Sequence, residues 1–246
     1  MTTPDFLYRY QSLSAYSLAS LTNNTIWLAK PSTFNDPLDC ALTLDPKKYK
    51  ESIMHAVDFA KKQGMLKKLK REDIQNIWPR DKEIYESTRE KLRQLFQGIG
   101  VCCFSAIPNQ MLMWSHYGNH HRGFCVEYDC REGTKLRELA RKVRYEDDVP
   151  SLSIADLAPF NGDVTTDIFW LTKAKCWSYE QEWRVMMNEG NKSFDAPSSV
   201  TSVIFGARML DSDRTMVAKA LRHHGNVKFK EAKMKEDQFL IEVVDA

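Results

Sequence analysis

The sequence predicts an α+β fold: a single mixed, mainly antiparallel sheet in one domain spanning residues 1–246, with a helical insertion at about residues 46–96. Three observations lead there. Short apolar, β-branched or aromatic runs of strand type outnumber the regular strand–helix–strand alternation that a doubly wound sheet needs. The composition of residues 46–96 shifts to Lys, Glu, Gln and Leu, Ile or Met, the mixture of amphipathic helices. No internal repeat or low-complexity segment points to a repeat architecture.

The elements follow in chain order. Residues 6–12 (FLYRYQS) read as a strand entering the fold, and 13–21 (LSAYSLASL) as a helix with apolar residues at helical spacing. A second strand, 25–29, follows the turn signal of Asn23 and Asn24. Residues 30–40 (KPSTFNDPLDC) carry two prolines and an Asn-Asp-Pro turn and read as a loop. In the insertion, Trp78 and Pro79 interrupt two or three helices, and residues 61–71 (KKQGMLKKLKR) are basic, suited to a solvated face or a contact for phosphates. Residues 98–105 (GIGVCCFS) and 123–129 (GFCVEYD) have the continuous apolar character of buried strands. A basic helix at 134–142, an edge strand at 143–145 and a loop-rich stretch at 147–167 lead to a strand over 174–189. A strand at 200–205, a helix at 212–224 and closing strands at 226–232 and 239–244 complete the chain.

Composition excludes several classes of function. A formal net charge of +2 argues against a general nucleic-acid binder or a membrane-surface protein, both of which need a strong basic excess. No apolar run approaches the roughly 18–20 residues of a membrane span, and MTTPDFLYRYQSLS lacks the pattern of a signal peptide. The six cysteines form no CxxC pair, so structural-zinc spacing is absent and reduced thiols in a cytoplasmic protein are expected. There is no phosphate-binding GxxxxGK, no GxGxxG after a strand, no kinase signature and no recognisable helix-turn-helix.

Four constellations carry chemistry. In WSYEQEWR (177–184), a strand would put Glu180, Glu182 and Arg184 on one face and Tyr179, Gln181 and Trp183 on the other. Such a row is either a salt-bridged surface or a carboxylate held by Arg184 to bind sugar hydroxyls or stabilise a developing cation. The segment MLMWSHYGNHHRG (111–123) gathers Trp114, Ser115, His116, Tyr117, His120, His121 and Arg122. On a helix His116 and His120 would have zinc-type spacing, but no third ligand is evident, so hydrogen-bonding histidines at a cleft edge are expected and no metal. Ser115 lies near histidines without the G-x-S-x-G elbow of a nucleophile. Asn35, Asp36 and Asp39 build a turn that could close over a ligand, and Arg9 between Tyr8 and Tyr10 is a surface residue or an anion hook.

Taken together, LYRYQSL, PSTFNDPLDC, VCCFS, LMWSHYGNHHRGFCVEYD, WSYEQEWR and IFG resemble the bacterial family catalogued as domain of unknown function 2971, over about residues 6–206. The family name carries no activity. More distantly, the chain is similar to the ADP-ribosyltransferase superfamily, including toxins that modify DNA. That likeness implies split sheets, a first strand bearing His or Arg (Arg9), a middle Ser or Tyr (Ser105, Tyr117) and a late Glu-x-Glu (Glu180, Glu182). The Ser-Thr-Ser of that superfamily is absent, Arg9 stands where a His is expected beside a Tyr, and Trp183 and Arg184 after the Glu belong to the pattern of the unknown-function family it resembles.

The resemblance implies an enzyme that uses NAD as co-substrate, as a toxin or phage-defence effector with nucleic acid or protein as acceptor. Breaking the nicotinamide–ribose bond passes through an oxocarbenium-like state, which a nearby carboxylate stabilises. The expected catalytic residues are Glu182, Glu180 and Tyr117. The expected binding residues are Arg9 for phosphate, Trp114 or Tyr117 for nicotinamide, and Tyr8, Ser105, Ser115, His116, Arg184, Asn35 and Asp36 around them. Two other classes fit the same residues: a nucleic-acid- or protein-binding module using the basic helices, and a metal-independent hydrolase or nuclease using Glu180, Glu182 and His116.

Overall fold

The computed structural model describes residues 3–41, 43–44, 51, 86–87, 90, 98–152 and 164–246. Most of the expected helical insertion, including the basic stretch 61–71 with Trp78 and Pro79, lies outside the described residues, as do residues 153–163. The strands in chain order are β1 (Phe6–Gln11), β2 (Thr25–Leu28), β3 (Thr43–Leu44), β4 (Gly100–Ser105), β5 (Phe124–Asp129), β6 (Arg141–Lys142) and β7 (Arg144–Glu146). They continue with β8 (Ser151–Leu152), β9 (Thr172–Ala174), β10 (Glu182–Met187), β11 (Lys192–Asp195), β12 (Val200–Phe205), β13 (Lys228–Met234) and β14 (Ile241–Asp245).

The chain divides into two compact units. Phe34–Gly98 with Arg144–Ala174 form one unit. In it β3 pairs in parallel with β8, β7 pairs in parallel with β9, and Lys173 and Asp39 make a buried ion pair at 3.3 Å. A helix at Val164–Trp170, where the sequence suggested loop up to residue 167, leads into β9.

Met1–Thr33, Ile99–Val143 and Lys175–Ala246 form the other unit, built on an eight-stranded sheet of order β14-β13-β12-β5-β1-β4-β10-β6. The expected mixed, mainly antiparallel character holds, because β12 and β13 run in parallel and the remaining neighbours are antiparallel. The helix Asp211–Ala220 supplies the crossover that a parallel pair requires.

Alternation along the strands gives this sheet two unlike faces. Leu7, Phe104, Phe124, Val126, Trp183, Val185, Val203 and Phe205 share one apolar cluster with Leu21, Val217 and Leu221 of the covering helices. The helix Ala15–Thr22 begins two residues later than its apolar pattern suggests, because Ser14 and Ser17 bond reciprocally as a capping box. The opposite face holds a smaller apolar cluster, Tyr10, Cys125 and Ile204 with Met113 and Trp114. Polar residues occupy the rest of that face.

Three sequence readings change. The expected strand over 174–189 is broken: Ala174 ends β9, Lys175–Glu180 is a 3-10 helix, Gln181 turns with φ +45, and β10 begins at Glu182. The basic helix stops at Leu139, so Arg141 and Lys142 form the sheet edge against β10. The helix carrying His116 ends there, and His120 lies in a turn, so the two histidines never acquire helical i, i+4 spacing.

The join between that turn and β5 is tight. A Cβ on Gly123 would lie 2.1 Å from the Gln11 carbonyl oxygen, a backbone atom of the neighbouring strand. Gly123→Ala is therefore expected to cost about 2 kcal/mol or more and to lower Tm by at least roughly 4 °C, read from thermal unfolding by circular dichroism.

Candidate functional site

Register builds the polar face residue by residue. Ser202 pairs with Glu127, Glu127 with Tyr8, Tyr8 with Ser105, and Ser105 with Glu182. Residues directly opposite on antiparallel strands project to one side, so these five form one cross-strand row. At one strand per ~4.8 Å, Glu182 and Tyr8 stand about 10 Å apart along it.

At one end of the row, Arg184 clamps Glu182 with two hydrogen bonds, Nε to Oε1 at 2.7 Å and Nη2 to Oε2 at 3.0 Å. Arg184 is 0% exposed and Glu182 3%. A fork-on-fork pair of this kind fixes both the charge and the orientation of the carboxylate. Glu180, 2% exposed, accepts a 2.8 Å bond from the Tyr117 hydroxyl. The buried Ser105 hydroxyl donates to the Glu180 carbonyl at 2.7 Å and accepts from the Ile107 amide at 3.2 Å, which ties the 3-10 turn to β4. Glu180 and Glu182 thus meet the same face, brought there by the turn at Gln181 and not by strand alternation.

At the other end lies a carboxylate the sequence reading passed over. Glu127 accepts from Thr201 Oγ1 at 2.7 Å and from Lys230 Nζ at 2.9 Å. Burial works to raise its pKa, but the bonds from Thr201 and Lys230 outweigh it and hold the group below the usual carboxylate range. Burial, and then the Glu127 charge beside it, push the Tyr8 phenol well above its ordinary value, so Tyr8 stays protonated. An acidic residue inside the apolar run GFCVEYD was the available signal.

The other expected residues are placed as follows. Arg9 is one residue from Tyr8 and therefore on the opposite face, where its Nη2 donates to the Trp27 carbonyl at 3.3 Å. The structure does not bring it to Glu182. Trp114 is fully buried, donates to the Pro108 carbonyl at 2.9 Å and packs edge-on against Tyr10, so its ring belongs to the core. His116 is exposed, with its ring edge-on to Tyr117 and Trp177. Asn35 and Asp36 lie in the unit of Phe34–Gly98 and Arg144–Ala174, where Asp36 Oδ1 accepts from the Leu38 amide in a local turn.

Ser115 partners a different histidine from those singled out by spacing. Its Oγ is 3.1 Å from His121 Nε2, and the buried Nδ1 of that ring has no hydrogen-bond partner. His121 is carried by a left-handed turn in which Asn119, His120 and His121 all have positive φ, at 48°, 55° and 67°. Burial, followed by the charges of Arg208 and His120, lowers the His121 pKa and keeps the ring neutral.

A family model described as protein of unknown function (DUF2971) matches residues 113–185 and supports the resemblance to that family over this stretch. The match takes in Tyr117, His121, Glu127, Glu180, Glu182 and Arg184, and leaves out Tyr8, Arg9, Asn35 and Asp36. No curated protein and no solved structure matches the chain. No described helix is long and apolar enough to cross a membrane.

Two measurements follow from the geometry. Arg184→Met, which takes the guanidinium from a buried carboxylate, should cost about 3–5 kcal/mol in urea unfolding, whereas Glu182→Met with Arg184→Met should cost clearly less. The His121 effect has a defined sign, because the unfolded ring takes up its proton at the ordinary value of 6.5 and the folded ring resists protonation. Its contribution is therefore full above that value and is lost as pH falls below it. His121→Gln should flatten this part of the stability–pH curve.

Proposed function

We propose that the protein is an enzyme that cleaves the nicotinamide–ribose bond of NAD and transfers the ADP-ribosyl group, with Glu182 as the central carboxylate. The observation that carries the reading is the pair of buried carboxylates, Glu180 and Glu182, on one sheet face, one clamped by Arg184 and the other bonded to Tyr117. Glu182, oriented by the guanidinium, would accept from the ribose 2′-hydroxyl and stabilise the positive charge that develops at C1′. The C1′–N bond breaks with its electron pair going to nicotinamide, and the acceptor's nucleophile bonds to C1′. Glu180 would take the proton that the acceptor loses.

Tyr117 is the aromatic group available for nicotinamide, since Trp114 is committed to the core. With Arg9 on the other face, the phosphates need a different cation than the sequence suggested. The reading therefore rests on the carboxylates and Tyr117.

The test is calorimetric binding of NAD together with nicotinamide release, with and without DNA, RNA and protein acceptors. Glu182→Gln should reduce turnover by a factor of roughly a hundred or more while the far-ultraviolet spectrum is kept. Pure protein that neither binds nor consumes NAD under any of these conditions would sink the proposal. Turnover of phosphodiesters without NAD, lost in Glu182→Gln, would favour a hydrolase at the same carboxylates.

A further inference from the structure

At the end of the sheet where β1, β12 and β13 begin and β5 finishes, a cavity of about 840 Å³ opens to solvent. Phe6, Tyr8, Glu127, Arg131, Lys228 and Lys230 are among its lining residues. We propose that this cavity binds a small phosphomonoester carried on a polyol, such as a sugar phosphate, at a site separate from the Glu180–Glu182 pair.

The charges of the lining decide the sign of the ligand. Its cations are Arg131, Lys228 and Lys230, and its carboxylates are Glu127 and Asp129. Asp129 is taken by Arg131 through two hydrogen bonds, at 2.9 and 2.6 Å. Glu127 is taken by Lys230 at 2.9 Å. Lys228 is left without a carboxylate among the described residues, and it stands two residues before Lys230 at the start of β13. Lys228 is thus the cation of the lining that an anionic ligand can engage. The Arg131 guanidinium nearby has its Nε and Nη2 on Asp129 and keeps only its remaining N–H groups for a phosphate, whose several oxygens can take donors from Lys228 as well.

The remaining lining fits hydroxyls. Glu127 is half of a rigid floor: with Thr201 and Lys230 bonded to it and the Tyr8 hydroxyl beside it, its own lone pairs are largely used. Its task is to position these neighbours. The Tyr8 oxygen can still accept, and Lys230 and Thr201 bring further polar atoms to the same floor. A volume of about 840 Å³ lies within the ~300–1,000 Å³ of small-molecule sites and exceeds what a bare inorganic ion fills.

The proposal does not depend on NAD chemistry, and its test is kept apart from it. Ribose 5-phosphate and inorganic phosphate are titrated into the full chain by calorimetry at low salt. Ribose 5-phosphate should bind saturably and more tightly than inorganic phosphate. Lys228→Ala, an exposed change that leaves the floor intact, should weaken it roughly tenfold or more, as loss of a charge-assisted contact does. Tyr8→Phe should weaken it less, and Glu182→Gln should leave it unaltered. Absence of saturable binding, equal affinity for inorganic phosphate, or affinity indifferent to Lys228→Ala would each overturn the proposal. Loss of NAD turnover in Glu182→Gln with ribose 5-phosphate binding retained would confirm that the two sites are distinct.

Discussion

Strand β10 must bury Glu182 and Arg184 side by side in the eight-stranded sheet, and much of the unit built on that sheet answers to the requirement. Withdrawing a carboxylate and a guanidinium from water costs several kcal/mol per ion, and only a forked, well-aligned contact offsets it. The bidentate bond between the two side chains is that contact. It needs both residues on one face, which the period of two provides, while Trp183 and Val185 pack into the apolar cluster on the other. A slip of one residue against β4 would exchange the faces, pushing the charges into that cluster, so the pair and the cluster enforce the same register. The Ser105 hydroxyl then pins the Glu180 carbonyl, and the turn before β10 is fixed as well.

What was readable in the sequence were the features that repeat. Strand-type runs marked β1, β10 and β12, continuous apolar runs marked β4 and β5, and helical patterns marked the helices after β1 and β12. The strand reading failed at residues 175–180, because WSYEQEWR alternates as a strand does whether or not the backbone is extended. The 3-10 helix depends on Gln181 adopting a positive φ, and glutamine carries no mark of that. The same period of two separates Tyr8 from Arg9, so grouping both at one site conflicted with the strand that carried them. Glu127 escaped notice because its significance comes from Thr201 and Lys230, which are 74 and 103 residues away.

The turn at Asn119–His121 was legible only in its residue types. Three successive left-handed residues without glycine cost on the order of 1–2 kcal/mol each, moderated because Asn and His enter that region more readily than most. The surroundings compel the conformation. The His121 carbonyl accepts from the Arg208 amide at 2.9 Å, and a Cβ on Gly206 would lie 2.4 Å from that carbonyl oxygen, so only glycine fits there. The turn leads through Gly123 directly into β5, whose register sets Glu127 opposite Tyr8.

Strain in this turn and ion burial in β10 therefore bear on one object, the polar row from Ser202 to Glu182. Stability alone does not account for such a row. Apolar side chains of equal volume in place of both Glu182 and Arg184 cost a sheet far less than the loss of one partner, so the pair is not there for stability. The same strands already fill much of their other face with buried Phe, Val and Trp. The fixed carboxylates of this face, Glu127 at one centre and Glu182 at the other, are thus more than packing requires, and Tyr8 and Ser105 stand between the two centres in the cross-strand row.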